Sequence, residues 1–145
     1  RISLEDYEVE NPMIKRHLIK LIAMMTKRMH SAGVNHRDYY LCHFLLDRQS
    51  DELQLNLIDL HRAQLRTKVP PRWLVKDLGG LLFSALEKGM TKRDLLRFVR
   101  DYSGDLSTLR VNRSFWCSVI GRARKLYLRD RHLIPQDIDR LLEQP

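Results

Sequence analysis

Cysteine and glycine are scarce in this chain of 145 residues, and their scarcity excludes several classes of site. The two cysteines, Cys42 and Cys117, lie far apart and form no C-x-x-C pair. Neither a zinc finger nor a disulfide framework is therefore expected, and a reducing, cytoplasmic environment is the default. The six glycines form no glycine-rich phosphate-binding loop. No hydrophobic run approaches the roughly 18 residues that would cross a membrane.

Acidic residues are in the minority. The chain carries 26 lysines and arginines against 18 aspartates and glutamates, a net charge of +8. Such an excess favours anionic partners, and nucleotide phosphates, a phosphorylated glycolipid, an acidic protein and nucleic acid all fit it. The hydrophobic fraction of 43% is enough to bury the core of one domain.

Apolar periodicity predicts a mainly helical chain with one small β-hairpin. Asn11-Pro12 caps and starts a helix whose apolar stripe ends near Ser31, and Gly33 suits the exit turn. Leu41 to Ile58 is predicted to form two short strands joined by a polar turn. Further helices are expected over Trp73 to Leu86, from the Thr91 capping box to Tyr102, over Arg110 to Arg131 and, after Pro135, over Gln136 to Glu143.

Two segments are strongly basic. Leu60 to Lys76 contains no acidic residue and is interrupted by Pro70-Pro71, so it is expected to be a basic loop. Arg110 to Arg131 has Asp130 as its one acid and is expected to be a basic amphipathic helix. Each segment could be a solvated surface or a contact with an anionic partner.

Two carboxylates follow hydrophobic runs. Asp38 stands in Gly33 to Leu46, G-V-N-H-R-D-Y-Y-L-C-H-F-L-L, and Asp59 in L-N-L-I-D-L-H-R. The predicted hairpin lies between them, so both carboxyl groups are expected to face one cleft. Phosphoryl transfer needs one carboxylate to orient and deprotonate a hydroxyl and a second to hold magnesium. The pair therefore suggests a phosphoryl-transfer site.

The sequence motifs around these aspartates resemble those of a known family. His36-Arg37-Asp38 is similar to the H-R-D of the protein-kinase catalytic loop, and Asp59 stands where the metal-binding Asp of D-F-G would stand. N-H-R-D-Y-Y-L-C-H-F-L-L, I-D-L-H-R-A-Q-L-R and K-D-L-G-G-L-L-F-S, in that order, resemble the lipopolysaccharide kinase (Kdo/WaaP) family. The resemblance runs from about Ile2 to Phe98.

The resemblance implies roles for individual residues. Asp38 would be the catalytic base, within a catalytic loop that includes His36 and Arg37. Asp59 would be the magnesium ligand, with His43 beside it, at a position where protein kinases have a metal-binding Asn. Asp77 would accept hydrogen bonds from the catalytic-loop backbone, or else serve only the dipole of its helix. A basic patch of Arg62, Arg66, Lys68 and Arg72 would contact the phosphorylated acceptor.

It also implies a fold and an activity. The chain would be the carboxy-terminal lobe of a protein-kinase-like fold, with the nucleotide-covering lobe preceding Arg1. Within residues 1–145 the catalytic loop would span 33–46, the metal-binding segment 53–66 and a helical remainder 73–143. The activity would be ATP-dependent phosphorylation of an inner-core heptose of lipopolysaccharide, or of Kdo in the same family. It would take place at the cytoplasmic face of the bacterial inner membrane, with peripheral contact to anionic lipid.

Two other classes of function fit parts of the sequence. A basic helical domain with aromatic residues among its arginines could bind nucleic acid, but this reading leaves Asp38 and Asp59 unexplained. A kinase-like pseudoenzyme that binds an acidic protein is the other alternative, and the retention of both aspartates disfavours it.

Overall fold

A computed structural model of the chain describes residues 1–9, 11–49 and 51–131. This part is mainly helical, as the periodicity predicts, with two small antiparallel sheets. The elements in chain order are β1 (Ile2–Ser3), α1 (Pro12–Ser31), β2 (Val34–Asn35), β3 (Phe44–Asp47), β4 (Gln54–Leu57), β5 (Gln64–Leu65), α2 (Pro71–Ala85), α3 (Lys92–Ser103), α4 (Thr108–Val111) and α5 (Arg113–Arg131). The helix expected over Gln136 to Glu143, after Pro135, lies outside the described residues.

Helix α1 begins and ends where the sequence predicts. The side chain of Asn11 accepts a hydrogen bond from the backbone N–H of Met13 at 2.8 Å. Pro12 takes the first helical position, whose N–H has no intrahelical acceptor to lose. The helix ends at Ser31, and Gly33 leaves it with a φ of 85°. The helix therefore delivers the next segment from a rigid end.

The predicted hairpin forms, but its first strand starts late. Strands β3 and β4 pair antiparallel, with Leu46 opposite Leu55. Leu41–His43, expected to open the strand, is a 3-10 turn instead. The N–H of His43 closes this turn on the carbonyl of Tyr40 at 3.0 Å, and the ring of His43 hydrogen-bonds to the carbonyl of Asp38 at 2.6 Å.

Two strand pairings were not predicted, so the expectation of a single hairpin was incomplete. Strand β1 adds to the hairpin with Ile2 opposite Leu46, and β2 pairs with β5 with Val34 opposite Leu65. Strands of two residues are too short to show an alternating pattern, which is why periodicity misses them.

The helical boundaries differ from expectation at two places. Helix α2 begins at Pro71, two residues before the predicted start, since proline is well suited to a first turn. Arg72 and Lys76 therefore lie on a helix and not in a basic loop. The predicted helix from Arg110 to Arg131 is interrupted at Asn112 (φ −112°, ψ 40°), which separates α4 from α5.

The capping box predicted before α3 is confirmed. The hydroxyl of Thr91 accepts from the backbone N–H of Asp94 at 3.2 Å, and the Asp94 carboxylate accepts from the backbone N–H of Thr91 at 3.1 Å. Two donors that the first turn leaves unpaired are thereby satisfied. The carboxylate also pairs with Lys15 of α1 at 2.7 Å, which helps to fix α3 against α1.

Two hydrophobic clusters meet on α2. One joins α1 to the three-stranded sheet and includes Leu18, Phe44 and Leu81; the other joins α2, α3 and α5 and includes Leu78 and Trp116. Helix α2 contributes to both, so it is the central buried helix that the sequence predicts. Any polar group on its buried side is held on a rigid support.

Gly33 provides a test of this architecture. A Cβ at Gly33 would overlap the backbone carbonyl oxygen of Arg66, whereas one at Gly104 would meet nothing within 4 Å. Both glycines have the left-handed backbone, with φ of 85° and 87°. We expect Gly33→Ala to lower the free energy of unfolding by about 3 kcal/mol or more, and Gly104→Ala by about 1 kcal/mol.

Urea unfolding of both variants measures this difference. Both variants introduce the strain of a side chain on a left-handed backbone. The difference between them therefore measures the close contact of residue 33 with the backbone of Arg66. Equal losses of stability would contradict the placement of Gly33 against Arg66.

Candidate active site

A buried carboxylate on α2 holds the backbone of the Asp38 loop. Asp77, 1% exposed on α2, accepts the backbone N–H of His36 through Oδ2 at 2.8 Å and that of Arg37 through Oδ1 at 2.9 Å. Nε2 of His30 lies 3.0 Å from Oδ2. Asp77 is in the second turn of α2, so a first-turn dipole does not describe its position. Its carboxylate fixes two consecutive peptides of the loop.

Arg37 has a left-handed backbone, with a φ of 79°. This conformation is uncommon for a residue with a side chain, and the hydrogen bond from its N–H to Asp77 helps to hold it. The turn sends the Arg37 guanidinium over the ring of Trp73, 5.4 Å from the centroid. Within the described part of the chain, Arg37 forms no ion pair with Asp38 or Asp59.

His36 is fully buried and joins the Asp38 loop to the hairpin. Its Nε2–H donates to the carbonyl of Ile58 at 3.0 Å, and its Nδ1 accepts the backbone N–H of Asp38 at 3.2 Å. One neutral tautomer satisfies both bonds, which leaves no ring nitrogen for a substrate. The structure therefore places His36 behind the site, where it positions Asp38 and the residue before Asp59.

His43 links the two aspartates. Its Nδ1–H donates to the backbone carbonyl of Asp38 at 2.6 Å, so its Nε2 is the atom that faces Oδ2 of Asp59, 3.3 Å away. The ladder of the hairpin continues one step beyond the strands, since the N–H of Ile58 donates to the carbonyl of His43 at 2.9 Å. Hairpin pairing thus brings the two aspartate segments together.

Asp59 also sits on a left-handed backbone (φ 61°, ψ 51°), which an aspartate tolerates better than most residues. Its side chain is 39% exposed, and its Oδ1 contacts Nδ1 of His61. The conformation turns the chain into the Leu60–Arg62 3-10 turn. The carboxylate is left at the surface of the site, where a ligand can reach it.

Asp38 pairs with an arginine from the segment after Asp59. Nη1 of Arg62 lies 2.7 Å from Oδ1 of Asp38, whose side chain is 20% exposed. Oδ2 of Asp38 has no hydrogen-bond partner among the described residues. Arg62 therefore connects Asp38 to the segment that follows Asp59, and the ring of His43 lies between the two aspartate segments.

Magnesium fits this donor set through one residue. In the described ranges, no three His, Cys, Asp or Glu side chains are grouped so as to hold a metal ion. Asp59 offers the hard oxygen donors that magnesium prefers, and the ion commonly completes its shell with water and substrate phosphates. The imidazole of His43 is a poor direct ligand for magnesium, so a contact through water suits it better.

The expected basic patch divides into three parts. Arg66 donates to the side-chain oxygens of Asn35 at 3.2 Å and Gln64 at 2.5 Å and lies over the ring of Trp73. Arg72 also lies over that ring, whereas Lys68 is exposed. Arg62, paired with Asp38, is separate from both.

The sequence analysis included Lys76 only as the end of a basic loop and did not identify Trp73 as a neighbour of the site. Burial lowers the pKa of Lys76, and the charges of Arg122, Arg37 and Arg62 lower it further. The local signal was present, because Lys76 stands three residues after Trp73 and such residues are neighbours on a helix. The contribution of Arg122 on α5 has no local signal.

Tyr40 adds a hydroxyl on the Asp38 side. Burial raises its pKa, and the charge of Asp38 raises it further. Tyr40 packs against Gly80 of α2, where a Cβ would approach its ring to 3.1 Å. Gly80 therefore allows the chain after Asp38 to lie directly on α2.

None of the described helices is long and apolar enough to span a membrane.

The sequence matches the model of the lipopolysaccharide kinase (Kdo/WaaP) family over residues 2–102. Over 113 residues it is 52% identical to the lipopolysaccharide core heptose(I) kinase WaaP of Escherichia coli strain K12, which covers 71% of this chain and 43% of that protein. Over 95 residues it is 54% identical to the lipopolysaccharide core heptose(I) kinase WaaP of Pseudomonas aeruginosa strain PAO1, and this match covers 63% of this chain and 35% of that protein. The chain thus spans less than half the length of these curated relatives.

The fold is also similar to a solved structure of WaaP in complex with acyl carrier protein. The TM-score is 0.79 at 43% sequence identity, and the match covers 87% of this chain and 57% of that one. Sequence and architecture therefore agree over most of the described part. The chain belongs to the lipopolysaccharide kinase (Kdo/WaaP) family, and its architecture is the carboxy-terminal lobe of a kinase-like fold.

Proposed function

We propose that the protein containing this chain is an ATP-dependent kinase that phosphorylates a heptose of the lipopolysaccharide inner core. The observation that carries the proposal is the meeting of Asp38 and Asp59 at one site, joined by His43 and Arg62. Family membership and the names of the curated relatives support the sugar acceptor. A Kdo kinase of the same family is the alternative.

Asp38 would act as the base. Its Oδ1 is held by Arg62, so Oδ2 is the oxygen available to orient the acceptor hydroxyl and take its proton. The ion pair with Arg62 fixes the rotamer of the Asp38 side chain. His36, Arg37 and Asp77 would serve this step indirectly, because they hold the loop that carries Asp38.

Asp59 would hold magnesium, with His43 contacting the ion's water shell. A bound magnesium ion would neutralise phosphate charge during transfer. His43 keeps Asp59 at a fixed distance from the Asp38 loop in this arrangement, since its two ring nitrogens face the two segments. ATP is the nucleotide that the family implies.

The division of the lobe follows from these roles. We propose a catalytic loop at 33–46 and a metal-binding segment at 53–66; of the remainder at 73–143, the described residues up to 131 are mainly helical and the rest lie outside the described part. A kinase-like site also needs a glycine-rich loop and a lysine for the phosphates. We place both in the part of the relatives' length that this chain does not span.

Replacing each aspartate separately tests the two roles. Asp38→Asn should lower kcat by ~10²- to 10⁴-fold, the range for loss of a positioned acid or base, and leave nucleotide affinity unchanged. Asp59→Asn should weaken magnesium-dependent binding of ATP, because it removes the carboxylate that holds the ion. Steady-state kinetics and nucleotide titration with purified heptose and Kdo acceptors measure both.

Asp51→Asn is the matched control, since Asp51 is exposed in the turn of the hairpin. It makes the same chemical change away from the site and should keep wild-type kinetics. Turnover of Asp38→Asn within a few-fold of wild type would remove Asp38 from the mechanism.

The exposed basic residues suggest peripheral contact with an anionic membrane surface. Lipid charge attracts each nearby lysine or arginine by about 1 kcal/mol. Lys68 and Arg113, one in each basic segment, are both exposed. The double reversal Lys68→Glu and Arg113→Glu should therefore weaken binding to vesicles containing anionic lipid by about tenfold or more.

Lys20→Glu with Lys27→Glu is the control, because it makes the same charge change on exposed positions of α1. Vesicle co-sedimentation at low and high salt measures the effect. Equal losses in both double variants would mean that net charge alone, and not the basic segments, drives binding.

An acidic protein partner is a second proposal, supported by the related structure of WaaP in complex with acyl carrier protein. We propose that acyl carrier protein also binds this protein. The net charge of +8 predicts that such binding weakens as salt rises. Calorimetric titration of purified acyl carrier protein at two salt concentrations measures this, and an undetectable interaction at low salt would exclude the partner.

A further inference from the structure

Four cationic side chains surround the indole of Trp73 at the start of α2. The distances to the ring centroid are 5.2 Å for Lys76, 5.4 Å for Arg37, 5.4 Å for Arg66 and 5.5 Å for Arg72. An aromatic ring attracts a nearby cation only weakly. Four like charges around one ring also repel each other, so the indole alone does not account for the cluster.

Within the described part of the chain, no carboxylate forms an ion pair with this cluster. Among the described residues, none of the four cations has a carboxylate oxygen within 4.0 Å; the bonds of Arg66 go to neutral side-chain amides. The two aspartates of the neighbouring loop and helix are already engaged. Asp38 pairs with Arg62, and Asp77 accepts backbone N–H groups and faces His30.

Buried donors in the same region lack acceptors. Nε of Arg37 and Nε1 of Trp73 are buried without a hydrogen-bond partner, as is Nδ2 of Asn35, whose Oδ1 is held by Arg66. Folded proteins seldom leave buried donors unpaired, and each such group calls for an explanation. An anion with several acceptor oxygens would satisfy these donors and balance the positive charge.

Arg122 of α5 extends the positive surface. Its side chain lies across Gly79, where a Cβ would fall 2.5 Å from its Cγ, and its Nε is also buried without a partner. Gly79 follows Lys76 by almost one helical turn, and the charge of Arg122 lowers the pKa of Lys76. The cluster lies on the Asp38 side of the site, because Arg37, which lies over the Trp73 ring, directly precedes Asp38 in the chain.

We propose that the cluster of Arg37, Arg66, Arg72, Lys76 and Trp73 binds a phosphate group. Phosphate suits it because a dianion with several acceptor oxygens matches multiple cationic donors. We assign this phosphate to the acceptor glycolipid, which already carries it; this assignment rests on the proposed function. It would anchor the acceptor while the hydroxyl to be phosphorylated faces Asp38.

Titration with inorganic phosphate tests the site directly. The full-length protein is first saturated with magnesium and a non-hydrolysable ATP analogue, so that phosphate cannot enter the nucleotide site. Lys76→Gln and Arg72→Gln should each weaken phosphate binding by about tenfold, the usual effect of losing one charged contact. Arg72 is exposed, so its variant keeps the test valid if Lys76→Gln is unstable.

Lys125→Gln is the matched control because it removes one exposed charge from α5, the helix that carries Arg122. It should bind phosphate as the wild type does, with chloride replacing phosphate at equal ionic strength in the blank. Phosphate affinity that is the same in Lys76→Gln, Arg72→Gln and wild type would overturn the site.

The source of the phosphate is tested with intact and dephosphorylated acceptor. Removing the acceptor phosphates should raise the wild-type KM by about tenfold and leave the KM of Lys76→Gln unchanged. If removal of those phosphates leaves the wild-type KM unchanged, the glycolipid assignment is wrong. Phosphate binding that depends on Lys76 would still support the site in that case. Phosphate binding without transfer to any glycolipid would reject the proposed function and still support the site.

Discussion

The carboxylate of Asp77 is the interaction on which the site depends. A buried charge is tolerated only when hydrogen bonds replace its lost hydration, and Asp77 receives them from the N–H groups of His36 and Arg37, with His30 alongside. Removing this carboxylate would leave two loop peptides unpaired and release the left-handed turn at Arg37. The position of Asp38 follows from that turn, so its carboxyl group is positioned by a residue on another element.

The same carboxylate is connected to the interior. Nδ1 of His30 lies 2.7 Å from the hydroxyl of Tyr102, whose pKa burial raises, so that hydroxyl stays neutral and available for hydrogen bonding. The Tyr102 ring meets Trp116 edge-on at 6.1 Å. A chain of contacts therefore runs from the Asp38 loop through α1 and α3 to α5.

Electrostatic balance differs between the two sides of the site. On the Asp59 side, His43 and His61 contact the carboxylate. On the Asp38 side, Arg62 pairs with the carboxylate, and the cations around Trp73 lie beyond it without a carboxylate of their own among the described residues. Positive charge is therefore in excess on the Asp38 side, whereas the Asp59 side presents a partly exposed carboxylate.

Helix ends and helix faces that depend on residues close together in the chain were predictable from the sequence. The Asn11 cap, the Thr91 capping box and the apolar stripes fix helix ends and faces through neighbours a few residues away, and the motif around Asp38 identified the family. The hairpin was predictable for the same reason. These features need only spacing and residue type.

Tertiary structure decided what depends on residues far apart in the chain. The β2–β5 pairing, the role of His36 toward Ile58 and the gathering of Arg37 and Lys76 around Trp73 leave no periodic signal, because each joins segments that only the packed helices bring together. The interruption at Asn112 is local, yet a basic amphipathic pattern concealed it. Asp38 and Asp59 could be identified from the sequence, whereas the contact between buried Asp77 of α2 and the Asp38 loop appears only in the folded chain.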